Sequence, residues 1–404
     1  MPIYLTPGVY VEEVQTGANI IRAGSPSIAA FVGVAPTGDA HLNEGFACSN
    51  WTQFLKEFVR EGSRSTDLAQ AVYGFFNNGG GRCYVINIGP NAQIAGDPRK
   101  RTGLGRLEEI DEVAIVAAPG YCDPASYDAL LSHCERLQDR FAILDAPKDV
   151  DNLDALKQVG TPAPSGAAGD KEDPAKGAGK QIKACGSRES PNGYGAYYHP
   201  WLMCRDPLGT GVDLYVPPSG HIAGIYARSD ATRGVHKAPA NEIVRGALDL
   251  RSRVTHEEQG ELNRAGVNCI RFFPDGGIRV WGARTRAKES SQWCYVNVRR
   301  LFNMIEEAIA DGTRWTVFEP NDERLWKSVM RDVTGFLKVI WLDGALKGTT
   351  AQEAFFVKCD AETNPPEVID AGRLVIQIGI APVKPAEFII FQIGQWAGGV
   401  EVQS

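Results

Sequence analysis

The sequence of 404 residues is short of the features that mark membrane, secreted or metal-binding proteins. No apolar run approaches the ~20 residues that a membrane span needs. The first residues lack a basic stretch followed by an apolar core, so no secretory signal is expected. There is no C-x-x-C pair, and the six histidines are scattered, which argues against zinc. His133, beside Cys134, is expected on a helix surface next to a core residue. Nine cysteines, at 48, 83, 122, 134, 185, 204, 269, 294 and 359, are odd in number and irregular in spacing. Free thiols in a reducing cytosol fit that pattern better than a disulfide framework. Positive charge is also short: 42 Lys and Arg face 49 Asp and Glu, for a net charge of −7, which argues against general nucleic-acid binding.

Nucleotide chemistry lacks its signatures. No G-x-x-x-x-G-K-[ST] occurs. "GAGKQ" has Gln where Ser or Thr should stand and follows no strand, and "GLGRLE" (103–108) fails G-x-G-x-x-G at its last position. The nearest approach to catalysis is "SGHIAG" (219–224), which resembles the histidine segment of subtilisin-like proteases. A triad also needs a strand-borne Asp before it and an exposed Ser after it. Neither Asp-[Ser/Thr]-Gly nor Gly-Thr-Ser is present, so a structural His221 is expected and a hydrolase using it is the remote alternative. "LEEIDEV" (107–113) reads as an acidic surface turn. "DPRKRTGLGR" (97–106) reads as a basic loop, solvated or facing an acidic partner. "NWT" (50–52) fits a glycosylation pattern that means nothing without secretion. No enzyme, cofactor or metal is expected.

What is present is an alternation of strands and helices. Strands are expected in "PSIAAFVGVA" (26–35), "RCYVINIG" (82–89), "EVAIVAAPG" (112–120) and "RFAILDAP" (140–147), and helices at 51–60, 67–76 and after Asp123-Pro124. That last helix carries Leu130, Leu131, Cys134 and Leu137 on one face, and strand, helix and strand make a βαβ unit with parallel strands. From about 160 to 195 the composition turns to Gly, Ala, Pro and Lys, which reads as a surface excursion. Structure resumes at 196–204. A capping box, Thr255 with Glu258, opens a helix ending at Gly266. Strands at 267–273 and 277–285 flank an Asp275-Gly276 turn. Helices are expected at about 297–311 and 322–343, the second with an apolar stripe at 325, 329, 333, 336, 337, 340 and 341. Further strands are expected in "RWTVFEP" (314–320), "AFFVKC" (354–359), "GRLVIQIGIAP" (372–382) and "AEFIIFQIGQW" (386–396). No internal repeat is found.

The termini stand apart. Pro7-Gly8 signals a turn, and Val9-Tyr10-Val11, followed by Glu12, Glu13 and Val14, has strand chemistry. No hairpin partner follows before Gly24. At the other end, Gly379, Pro382 and Pro385 precede a strand at 387–396. There Phe388 and Ile390 point one way, and Ile389, Phe391 and Ile393 the other. A strand apolar on both faces needs a covered place in a sheet. A body of this size has a radius of gyration of about 21 Å, whereas twenty extended residues span up to about 66 Å. The N-terminal arm can therefore cross its own subunit and reach a neighbouring copy, and pairing of residues 9–14 within their own chain is the plainer alternative. Strand donation is β-augmentation, and giving one arm while receiving another makes a head-to-tail contact that builds rings or helical filaments. Hinges are expected near Gly17, Gly24, Pro382 and Pro385.

"TPGVYVEEV", "SGHIAGIYARSDATRGVHKAPAN" (219–241), "GVNCIRFFPDGGIRVWGARTRA" (266–287), "VNVRRLFNMIEEAI" (296–309), "FEPNDERLW" (318–326), "DGALKGTTAQEAFFVKCD" (343–360) and "GIAPVKPAEFIIFQIGQW" (379–396) together resemble the contractile tail sheath family, over nearly the whole chain except about 155–195. The single-chain layout resembles the phage and extracellular injection lineage more than type VI secretion. The resemblance implies an α/β (α+β) fold: an arm at 1–24, a subtilisin-like outer domain without a triad at 25–275, a smaller inner C-terminal domain at 276–384, and an arm strand at 385–404. It also implies that neighbours' arms complete the inner domain's sheet. The expected function is a structural sheath subunit that polymerises helically around an inner tube and contracts to drive that tube through a target envelope, as part of a phage-tail-like injection system. A phage virion sheath and a static filament are the alternatives. Expected partners are further copies of itself, the tube protein, and baseplate and terminator or cap proteins, with no nucleic acid and no membrane insertion. Assembly is expected in the bacterial cytoplasm, with release as an extracellular particle left open. Without a nucleotide site, contraction energy is stored in the lattice and released by rigid-body rotation. The tube contact is expected on the charged side of helix 322–343, at Arg324, Lys327 and Arg331.

Overall fold

A computed structural model describes residues 21–22, 24–161, 184–209 and 211–390. Most of the Gly-, Ala- and Lys-rich stretch lies outside them.

Along the chain, β1 (Ala29–Gly33) is buried at every position, as a strand covered on both faces must be, and β2 (Phe46–Cys48) is a short edge. α1 (Trp51–Phe58) starts where the Asn50 side chain accepts from the Gln53 N–H, so the Asn of "NWT" is a helix cap. α2 (Asp67–Asn78) is capped by Thr66 and stops at Gly79 in the left-handed conformation. β3 (Cys83–Asn87), β4 (Ile115–Ala117), α3 (Pro124–Leu137) with its Asp123 cap, β5 (Phe141–Asp145) and a single turn, α4 (Asp154–Lys157), come next. β6 (Gly195–His199), β7 (Leu202–Arg205), β8 (Asp213–Val216), α5 (Ser219–Arg233), β9 (Glu242–Ile243) and β10 (Ala247–Leu250) precede α6 (His256–Arg264), which opens on the expected Thr255–Glu258 capping box. β11 (Val267–Phe273) and β12 (Gly277–Trp281) form a hairpin. The remainder is α7 (Val296–Gly312), α8 (Glu323–Leu342), a turn α9 (Ala351–Ala354), β13 (Phe355–Lys358), α10 (Pro366–Asp370) and β14 (Gln377–Ile380).

Nine strands form one sheet in the order β2-β3-β1-β4-β5-β6-β11-β12-β9. Every pairing from β3 across to β11 is parallel, and antiparallel strands close both margins. Parallel strands need crossover helices on both faces. One face carries Val72 and Phe75 of α2 with Ile222 and Tyr226 of α5. The other carries Tyr127, Leu130 and Leu131 of α3 with Leu262 of α6. The β11–β12 hairpin stays in this sheet, so the large body runs past residue 275, the limit expected from sequence.

"SGHIAG" owes its pattern to packing. A Cβ at Gly220 would lie 2.3 Å from Ala71 Cα, and one at Gly224 would lie 2.4 Å from Phe75 O, so both glycines let α5 press against the α2 backbone. His221 fills the notch left by Gly74 on α2, where a Cβ would meet its Nδ1 at 2.4 Å.

The second body is small. Val329, Val333, Phe336, Leu337 and Ile340 of α8 pack against Leu301 and Ile305 of α7 and against Phe355 of β13. It is bolted to the large body by a buried ion pair, Arg300 Nη2 to Asp230 Oδ2 at 2.6 Å, with both side chains under 5% exposed. Arg300 also donates to Pro26 O, and Ser27 Oγ donates to Asp230. Removing either charge would strand the other in the interior.

Three expectations fail. The strand at 314–320 is a 3₁₀ turn over Arg314–Thr316 followed by an open bend with Phe318 at φ 70°. None of the three sheets of described strands, the third being β10-β7-β8, pairs with it, and a strand without a partner leaves its backbone groups unpaired. The strand at 372–382 shrinks to β14, because its start packs as irregular chain, with Leu374 and Ile376 against the small core. His133 is not on the helix surface but buried, with Nε2 lacking a protein partner.

Gly224→Ala is expected to lower stability by about 2–3 kcal/mol through overpacking, outweighing a helix-propensity gain of about 1 kcal/mol; thermal melts of the monomer measure it. Burial, helped by Arg140 and Arg136, holds His133 down at about 3, against 6.5 when free. Between those values the unfolded chain binds more protons, so this group's contribution to stability is lost as pH falls below 6.5. Urea titrations should show His133→Leu gaining about 2 kcal/mol relative to the parent between pH 7.5 and pH 5.

Candidate inter-subunit surface

The small body contains a sheet too small to stand alone. β13 and β14 pair antiparallel over four residues each, Phe355 opposite Ile380 through Lys358 opposite Gln377. Among the described strands no third one joins them, and an isolated two-stranded ribbon is marginal in water. Just beyond β14 the chain remains held. Lys347 N–H donates to Ala381 O, Ala381 N–H to Ala354 O and Val383 N–H to Ala345 O, while Pro382 forms a bridge with Leu346.

Phe356 of this ribbon and Val339 and Leu342 of α8 are exposed apolar side chains, and so are Phe388, Ile389 and Ile390, at 72–82% exposed, of which Phe388 and Ile389 line a groove beside Trp281. The described residues 386–390 have no strand pairing, and the rest of the strand expected at 386–396 lies outside the described residues. Phe391 and Ile393 lie outside the described residues, as do Pro7, Gly8, Val9, Tyr10, Val11, Glu12, Glu13, Val14 and the hinge position Gly17. Of the other expected hinges, Gly24 is exposed, Pro382 sits in the bridge to Leu346, and Pro385 lines a groove of about 490 Å³ with Trp281, Ala283 and Tyr295. Ile21 is buried against the C-terminal end of α7, where a Cβ on Gly312 would strike it at 2.6 Å.

Arg324, Lys327 and Arg331 all lie on the exposed side of α8. Lys327 pairs with Glu323 at 3.2 Å and Arg331 with Asp332 at 3.0 Å. Arg324 has no ion pair among the described residues. On the large body, the basic loop and the acidic turn answer each other: Arg101 and Arg106 both pair with Glu109.

At the triad look-alike, Asp145 accepts from the N–H and the hydroxyl of Ser219, each at 2.7 Å, and so caps α5 from outside. His221 Nε2 instead lies 3.6 Å from Cys204 Sγ. Burial drives that imidazole down to about 4 and, with Asp213, the thiol up to about 12. Both are neutral near pH 7, and a thiol in that state is a poor nucleophile.

Residues 106–286 match the phage tail sheath protein central domain and residues 288–395 match the phage tail sheath C-terminal domain. The chain belongs to the contractile tail sheath family. This sheath protein is similar to the sheath of an extracellular contractile injection system, PVC, in the contracted state, with 29% identity and a TM-score of 0.75 over 98% of this chain and 99% of that one. It is also similar to the helical sheath of the anti-feeding prophage, AFP, in the contracted state, with 31% identity and a TM-score of 0.73 over 97% of this chain and 100% of that one. The tail sheath protein of Vibrio phage KVP40 is 31% identical over 182 residues, 43% of this chain and 26% of its own length. The sheath protein spans between 26% and 47% of the first curated relatives it matches.

Serine at 388, 389 and 390 together is expected to leave the monomer's urea midpoint nearly unchanged, within about 0.5 kcal/mol per site, since these side chains are already largely exposed.

Proposed function

We propose that this chain is the structural subunit of a contractile sheath that polymerises helically around an inner tube and shortens to drive the tube through a target envelope. The observation that carries the reading is the two-stranded β13–β14 ribbon, which no other described strand joins, together with the exposed apolar residues at the start of the C-terminal segment. The terminal segments act as donated strands: each copy extends its ribbon with strands from adjoining copies. Every added backbone hydrogen bond contributes about 0.5–1.5 kcal/mol net, and burial of Phe388, Ile389 and Ile390 adds to it. Head-to-tail donation generates a helical polymer. The bodies rotate as units during contraction while the strands stay paired.

The large body serves as the outer, subtilisin-like domain and the small body as the inner one. Arg324, Lys327 and Arg331 face the tube, where complementary charge gives a salt-sensitive grip. The baseplate and a terminal cap hold the extended lattice. An injection-system particle is favoured over a phage virion because the likeness to the PVC and AFP sheaths covers 99–100% of those chains, whereas the curated tail sheath relatives are matched over 26–58% of theirs.

Deleting residues 1–20 is expected to leave a folded, soluble monomer that forms no tubes by electron microscopy. Full-length tubes from that deletion would refute strand donation by the N-terminal segment.

A further inference from the structure

We infer that Glu387 is a positioning residue: it locks the root of the C-terminal segment onto the large body, so that Phe388 is the first residue available for donation. This rests on the strand-donation reading above and says where the donated strand is held.

The carboxylate of Glu387 sits in a socket built before the chain reaches it. Arg284, 7% exposed in its side chain, grips it with two bonds, Nε to Oε1 at 2.9 Å and Nη2 to Oε2 at 2.8 Å. Asn263 Nδ2 donates to Oε1 at 2.6 Å and Tyr295 Oη to Oε2 at 3.1 Å. A two-pronged guanidinium–carboxylate pair fixes direction as well as distance. Arg284 is itself held, since its N–H donates to Asn268 Oδ1 at 2.7 Å, and Asn268 lies on β11 of the large sheet. Burial raises the Glu387 carboxyl, but Arg284, Asn263 and Tyr295 outweigh that and keep it below the usual carboxylate range, so the socket stays charged near neutral pH.

The contrast on either side of residue 387 places that boundary. Upstream, Val383 is tied twice, its N–H donating to Ala345 O and its carbonyl accepting from Asn297 Nδ2. Downstream, Phe388, Ile389 and Ile390 are 72–82% exposed, with Phe388 and Ile389 along the same groove as Pro385. Pro382 and Pro385 therefore lie within the held stretch and stiffen it.

The socket also fixes a spacing. Tyr295 immediately precedes α7, and Ile21, where the N-terminal segment enters the described structure, packs on Gly312 at the other end of that helix. A helix of 17 residues is about 25 Å long. The two terminal segments thus leave from opposite ends of one rigid rod, which suits linking neighbours that lie in different directions.

The test uses the full-length chain with Glu387→Gln, Glu387→Asp and Tyr295→Phe, followed by hydrogen exchange, monomer melting and polymerisation monitored by light scattering. Glu387→Gln should raise amide exchange at 383–390 alone, leave the exchange of the large sheet unchanged, and slow polymerisation at least tenfold. Glu387→Asp, which keeps the charge, should recover most of the rate. If Glu387→Gln prevents folding, Tyr295→Phe removes a single bond and should slow assembly by a smaller factor with the same local exchange signature. Wild-type assembly by Glu387→Gln, or slow assembly with exchange raised throughout the large sheet, would overturn the inference. The triple serine substitution at 388–390 separates the two claims. If it assembles normally, strand donation by this segment fails. If it does not assemble but Glu387→Gln does, only the anchor fails.

Discussion

The demand of backbone amides and carbonyls for partners organises the whole account. A ribbon of two four-residue strands satisfies only the groups between them, and the outward-facing groups look for a third strand or for water. In the large body seven of the nine strands are paired on both sides, and the edges are the short β2 and β9. In the small body no described strand is paired on both sides. The chain places its most exposed apolar run, Phe388 to Ile390, directly after the segment that leaves this ribbon. An open ribbon together with an exposed apolar run at 388–390 is an incomplete structure, and strands donated by further copies of this chain are the completion proposed for it.

The rest of the molecule supplies rigidity. Close helix packing through Gly220 and Gly224, the buried Arg300–Asp230 bolt and the Glu387–Arg284 socket each join elements far apart in sequence. A lattice that stores energy in subunit contacts needs bodies that turn without deforming, because packed interiors respond to load by switching arrangement and not by bending. The same rigidity explains features that imitate catalysis. The glycines around His221 serve a helix crossing, and the Asp145–Ser219 pair terminates a helix.

Much of this was legible in the sequence, for physical reasons. Apolar runs bounded by Gly and Pro marked β1, β3, β4 and β5 because strands covered on both faces are uniformly apolar. The caps Asp123 and Thr255 marked helix starts because their side chains have local targets. What was not legible depended on distant partners. "RWTVFEP" has strand chemistry but no strand beside it, and His133 looks like a surface residue until α3 is laid on its sheet. The Glu387 socket draws Asn263, Arg284 and Tyr295 from three places, and "PAEFI" alone gives no hint that its glutamate is gripped. The strand expected at 314–320 therefore failed through missing context and not through wrong propensity.

The most direct measurement is a cryo-EM reconstruction of the assembled polymer at a resolution that traces main chain. The account predicts that the open edges of β13 and β14 are paired with strands from adjoining copies and that Phe388, Ile389 and Ile390 are buried in a neighbour. A polymer in which both terminal segments pair only with their own subunit, leaving that ribbon unextended by other copies, would contradict it.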